Sequence, residues 1–149
     1  METKKTETIQ NESAVGVVLV THTDYGARLI KAAEFILGPQ DDCLSVSVDA
    51  TNDVSKTLDH LKHAVREADK GAGVMILTDM FGGTPTNLSL SLLGSFNLEV
   101  VTGVNMPMLL KVMNGRRMPL QKLAQEAKIA GALGIVVAGE VLRKKLGES

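Results

Sequence analysis

Along this chain, unbroken apolar runs alternate with stretches in which apolar residues return every three or four positions. Ala14–Val20 (AVGVVLV) is almost wholly apolar, as a strand buried on both faces must be. Ala27–Leu37 has the helical period and ends at the stop pair Gly38-Pro39. Leu44–Val48 (LSVSV) alternates, which marks a more exposed strand. Asp53 can cap a helix reaching about Lys70, with Val54, Leu58, Leu61, Val65 and Ala68 on one face. Gly73–Thr78 (GVMILT) is a further buried strand, and Asp79–Thr84 a loop. Pro85 then suits the first turn of a helix capped by Thr84. Leu98–Thr102 (LEVVT) is the next strand, Gly103–Met106 a loop, and Pro107 the opening of a short helix that stops near Gly115. Pro119–Leu133 is the last helix and Gly134–Ala138 (GIVVA) the last strand.

Strands alternating with helices predict an α/β open sandwich with a mostly parallel central sheet and helices on both faces. Right-handed crossovers put helices on both sides once the strand order reverses. Residues 1–13 are polar and unpatterned, and are expected to be a flexible tail before a single domain at 14–149.

Composition narrows the class. A net charge of -1 argues against nucleic acid as the main partner, because binding phosphate backbones needs a basic face. Cys43 is the only cysteine, so neither an intrachain disulfide nor a thiolate metal cluster can form, and a reducing compartment fits. The N-terminal residues lack the apolar core of a secretory signal, and no apolar run approaches the ~18 residues of a membrane span. A cytoplasmic protein without membrane insertion is the expectation.

In open α/β sheets, ligands bind beyond the carboxyl ends of the strands, where strand order reverses. Three such ends carry unusual residues: Thr21-His22-Thr23, then Asp79-Met80-Phe81-Gly82-Gly83-Thr84-Pro85, then Gly103-Val104-Asn105-Met106-Pro107. If the first and third strands are neighbours, a spacing of ~4.8 Å brings the His22 imidazole within reach of the Asp79 carboxylate. Such a pair fixes the tautomer and leaves the other ring nitrogen free as base, ligand or nucleophile. Gly82 and Gly83 supply flexible backbone, Thr84 a hydroxyl, and the following helix start favours anions. Backbone donors beside a nucleophilic imidazole suit a transferred phosphoryl group. The loops hold no lysine or arginine, which argues against tight storage of a nucleotide. A histidine at one strand end is more often a turn residue satisfied by its neighbours, and an aspartate at another often a cap. On the residues alone, the reactive and bland readings stand level.

Other candidates read as structure. His60 and His63 are spaced i, i+3 but lie opposite the apolar face of their helix, so they belong to a solvated surface and not to a metal site. Met106, Met108 and Met113 surround Leu109 and Leu110 and read as core or subunit contact. Arg116-Arg117 could dock an acidic partner, but a solvated pair is the simpler expectation. Neither a G-x-S-x-G nor a Walker A motif occurs, which weakens a His–Asp hydrolase.

Three separated pieces, VVLVTH with the helix ending EFILG, LTDMFGGTPTN and VVTGVNMPMLL, occur in an order and spacing that resembles the IIA domains of the mannose family of the bacterial phosphoenolpyruvate-dependent sugar phosphotransferase system. The resemblance covers roughly Val15 to Leu142. It implies a phosphocarrier that accepts a phosphoryl group on His22 from the carrier protein HPr and passes it to a IIB partner for sugar uptake and phosphorylation. It assigns Asp79 as the orienting carboxylate, and places Thr84 beside the phosphate together with Gly82 and Gly83. It requires no metal or organic cofactor. It further implies a homodimer, with Gly134–Ala138 in the position of a last strand that crosses to the partner subunit. Family members commonly have glycine where this chain has Thr23. Its β-branched side chain restricts the backbone there, and its hydroxyl could contact phosphate instead. With the chain ending at Ser149, the IIB component is expected on a separate protein. A solitary module whose His22 phosphorylation is read by a protein partner, a regulatory role, is the alternative.

Overall fold

The computed structural model describes residues 13–51 and 53–147. The expected tail at 1–13 therefore lies outside the described residues except for Ser13. Ten elements follow in the order β1 (Gly16–His22), α1 (Tyr25–Leu37), β2 (Cys43–Val48), α2 (Val54–Ala68), β3 (Val74–Thr78), α3 (Thr84–Leu90), β4 (Leu98–Thr102), α4 (Met106–Asn114), α5 (Leu120–Leu133) and α6 (Ala138–Lys145). The sheet is wholly parallel with strand order β2-β1-β3-β4. The chain leaves β2 on one side of β1 and returns to β3 on the other. This reversal opens a crevice above the carboxyl ends of β1 and β3.

β1 lies at the centre because alternate side chains serve two apolar layers. Val15, Val17 and Leu19 join Met75 and Leu77 under α1, α4 and α5, with Met108, Leu109 and Met113 in the same cluster. Val18 and Val20 join Val74 and Ile76 under α2 and α3, with Leu61, Val65 and Leu88. Met108 and Met113 are thus core residues, as their spacing suggests, and partly buried Met106 packs against them. No helix is long and apolar enough to cross a membrane among the described residues.

Three expectations change. Gly134–Ala138 is not a strand of this sheet: Ile135–Val137 form no ladder, and Ile135 is 78% exposed. Its composition is strand-like, but a strand requires an open edge within reach. Ala138 instead begins α6, which has no buried residue. Arg116 is not a solvated residue. It is buried, and its Nε donates to Val15 O at 2.7 Å and Nη1 to Asp41 O at 2.6 Å. Val15 N–H donates in turn to Arg116 O at 2.7 Å, so this one residue joins the segments that precede β1 and β2. Val54 leaves the buried face of α2, where Thr57 and Ala64 take places beside Leu61, Val65 and Ala68. Val54 is 57% exposed and lines the cleft that also holds His22.

Candidate functional site

β1 extends two residues beyond its apolar run, and His22 is its last residue. The turn into α1 is tied down from below. Buried Thr21 Oγ1 accepts from Gly26 N–H at 2.8 Å and donates to Thr23 O at 3.3 Å. Thr23 N–H donates to Val48 O at 3.0 Å, which continues the ladder to β2. Thr23 has φ +52°, in the left-handed region that a β-branched residue rarely occupies. A glycine would adopt it without cost.

Asp79 follows β3 directly, and β3 lies beside β1. Its Oδ2 accepts twice from one residue, from His22 N–H at 2.9 Å and from the ring Nδ1 at 2.7 Å. The expected His–Asp pair is therefore formed, with the His22 side chain 49% and that of Asp79 16% exposed. Burial pushes the Asp79 carboxyl up. Hydrogen bonds from the His22 backbone and ring, attraction to a charged imidazole and Asp79's own backbone N–H outweigh it and leave the group below its ordinary value. The ionised carboxylate can only accept, so Nδ1 carries a proton, and in the neutral ring the lone pair is then on Nε2. Asp79 Oδ1 is buried without a hydrogen-bond partner.

The free edge of the ring faces the glycine loop. A Cβ built on Gly83 would lie 3.5 Å from Nε2 and 3.4 Å from Cε1. Gly82 and Gly83 have φ +87° and +81°, which explains the glycines at both positions. Their N–H groups and that of Thr84 enter no backbone hydrogen bond among the described residues. Thr84 is the first residue of α3 and not its cap; Gly83 holds that position without a side-chain bond. Exposed Thr84 joins His22, Val48, Asp49, Ala50, Val54 and Thr57 around a cleft of about 320 Å³. None of these residues is a lysine or arginine. Thr23, Gly82 and Gly83 do not line it, and Asn105 is occupied in capping α4 by accepting from Met108 N–H at 3.0 Å.

The walls supplied by β2 and α2 went unnoticed in the sequence, although the parallel pairing of His22 with Val48 places them on the same rim. A second omission is Thr86, which is buried with Thr78 behind the loop. Its only signal is a polar residue at a position facing inward. His60 and His63 are exposed, as expected, and no cluster of three metal-binding side chains occurs among the described residues.

Residues 16–128 match the family described as PTS system fructose IIA component, EIIA-man. The chain is 25% identical over 132 residues to the PTS system fructose-specific EIIA component of Bacillus subtilis, covering 87% of this chain and 90% of that protein. It is 31% identical over 109 residues to the PTS system sorbose-specific EIIA component of Lacticaseibacillus casei, covering 72% and 78%. Against the PTS system mannose-specific EIIAB component of Escherichia coli K12 it is 28% identical over 103 residues, 68% of this chain but 32% of that longer protein. The fold superposes on the mannose/sorbose-specific IIA subunit from Enterococcus faecalis with a TM-score of 0.77 at 24% identity, over 84% of this chain and 95% of that one.

Proposed function

The chain belongs to the EIIA-man family of phosphotransferase-system components, and from that premise we propose that it is a phosphocarrier whose His22 takes a phosphoryl group from phosphorylated HPr and hands it to a IIB component for sugar uptake and phosphorylation. The observation that carries this reading is the 2.7 Å contact of Nδ1 with Asp79 Oδ2, which leaves Nε2 as the nucleophile against the Gly83 backbone.

In the first transfer the Nε2 lone pair forms a bond to phosphorus as the bond from phosphorus to the donor's nitrogen breaks. The ring gains positive charge, and Asp79 stabilises it through the Nδ1 hydrogen bond. Bonds to charged groups contribute about 1.5–3 kcal/mol. We assign the binding of the equatorial oxygens to the N–H groups at Gly83 and Thr84 and to the Thr84 hydroxyl, a role supported by their place in the loop and helix start beside the ring. The lack of cations in the cleft suits a carrier, because a phosphoryl group held too tightly could not be passed on. The second transfer reverses these steps with the IIB nucleophile.

Incubation with phosphoenolpyruvate, enzyme I and HPr, followed by intact mass and peptide mapping, should add one phosphoryl group at His22. No added mass, or addition that persists in His22→Ala, rules the carrier role out.

The same reading includes a homodimer. Leu133, Ile135, Val136, Val137, Val141, Leu142 and Leu146 are all exposed in the single chain, and β4 ends the sheet. Exchange of Ile135–Val137 onto the partner's β4 edge would cover both. Sedimentation should give a dimer at micromolar concentration and a monomer for Val136→Asp; a monomeric wild type removes the exchange.

A further inference from the structure

Asp79 orients His22, and among the described residues its carboxylate is held only by His22 and by the backbone N–H of Asp79 itself. Oδ2 accepts from the His22 N–H and ring, and Oδ1 has no hydrogen-bond partner in another described residue. The carboxylate therefore takes its position from the backbone on either side of Asp79. That backbone is held by two buried hydroxyls. Thr86 Oγ1 lies 2.6 Å from Met80 O and 2.8 Å from Thr78 Oγ1. A carbonyl can only accept, so the single proton of Thr86 goes to Met80 O, and the Thr78 hydroxyl donates to Thr86 Oγ1. The bonds close a ring through Thr78, Asp79, Met80 and Thr86, with Asp79 inside it. Thr78 and Thr86 are 0% and 1% exposed, so water does not compete for these bonds. Thr86 also sits in the first turn of α3, two residues after Thr84, so the ring couples the carboxylate to the loop beside Nε2.

We propose that Thr86 is a positioning residue of the phosphotransfer site: its hydroxyl sets the angle at which Asp79 meets His22 and so keeps Nε2 as the free nitrogen. This rests on the phosphohistidine reading above. Valine at this position keeps the shape and branching of threonine but removes the donor. Met80 O would then lose its 2.6 Å donor and keep only the Thr78 hydroxyl at 3.5 Å, and the peptide around Asp79 would turn to shorten that contact.

Thr86→Val and Thr86→Ser are compared with wild type in two measurements: the rate of transfer from phosphorylated HPr, and the ring ¹⁵N shifts of unphosphorylated His22. Thr86→Val should slow transfer about tenfold, the scale of a small misplacement of reacting groups, and Thr86→Ser should restore it. The ¹⁵N shifts should show a single Nδ1–H tautomer in wild type and Thr86→Ser and a mixture in Thr86→Val. In an Asp79→Asn background, Thr86→Val should have no further effect on rate. An unchanged tautomer in folded Thr86→Val, or the same tenfold loss in the Asp79→Asn background, overturns the proposal. If Thr86→Val does not fold, Thr86→Ala carries the same expectations with the packing relieved. If wild type accepts no phosphoryl group, the function proposed above fails, and the ring shifts alone decide the role of Thr86.

Discussion

Replacing Thr23 by glycine should make this protein more stable, even though it deletes a side chain at the edge of the site. Thr23 is held at φ +52° by its N–H bond to Val48 O and by the Thr21 hydroxyl on its own carbonyl. Its own hydroxyl makes no hydrogen bond among those recorded for the described residues, so the side chain gives back little for the strain. A non-glycine residue in the left-handed region costs about 1–3 kcal/mol. Glycine relieves this but raises the chain entropy of the unfolded state by about 0.4–1 kcal/mol. The net gain is about 0–2.6 kcal/mol, with a midpoint of about 1.3 kcal/mol. At ~2.1 cal/mol/K per residue, the unfolding entropy of this chain is about 0.3 kcal/mol/K, so the melting temperature should rise by about 4 °C and by no more than about 8 °C. Thr23→Ala separates the causes: alanine keeps a Cβ and most of the left-handed penalty, so it should gain at most a small part of the rise. Scanning calorimetry of the three proteins at one pH decides the matter. A lower melting temperature for Thr23→Gly, or an equal rise for Thr23→Ala, would refute the assignment of strain to Thr23. The transfer rate of Thr23→Gly should stay near that of wild type, since the Thr23 side chain does not line the cleft.

Asp79→Asn should slow phosphorylation of His22 by about 10- to 150-fold, the range of a charged hydrogen bond worth ~1.5–3 kcal/mol; an unchanged rate removes the orienting role. The lowered pKa of Asp79 also has a stability consequence. A carboxyl depressed on folding contributes stability that is fully present above its unfolded value of about 3.9 and disappears as pH falls through the folded value. The urea-midpoint difference between wild type and Asp79→Asn should therefore shrink below about pH 4, and a difference constant down to pH 2 contradicts the linkage. Arg116→Met should lower stability by about 2–4 kcal/mol, because it leaves Val15 O and Asp41 O without their donor. Arg116→Lys should recover only part of it, lacking the planar fork; denaturant midpoints test both. Burial pushes the Cys43 thiol up to about 11, so alkylation by iodoacetamide at pH 8 should be slow in the native protein and fast in urea. Equal rates would show that the thiol is not shielded.

How much of the molecule was legible in the sequence follows from which interactions are local. Four strands and three helices could be read from the run of apolar residues, because burial on one face or two leaves its mark along the chain, and the helices after Pro85 and Pro107 from the prolines that open them. The runs 14–20 and 74–77 are examples: neither contains a polar residue. His22, Asp79 and Gly83 could be shortlisted because polar and glycine residues interrupt apolar runs where a sheet exposes its rim. The family resemblance sharpened that shortlist into one reaction.

Other features depend on residues far apart in the chain, and no local pattern carries them. Arg116 looks like half of a surface pair until β1 and the segment before β2 come within reach of its guanidinium, 101 and 75 residues away. Gly134–Ala138 has the composition of a strand, but composition does not bring an edge alongside it, and in its own chain it pairs with neither edge of the sheet. The roles of Thr78 and Thr86 exist only once β3 and α3 fold back to back. Side-chain character and spacing carried most of the order of elements and the kinds of group available for chemistry. Folding supplied the rest: that Oδ2 takes Nδ1 and that the free edge of the ring faces Gly83. Those are matters of ångströms between segments that only the packed sheet brings together.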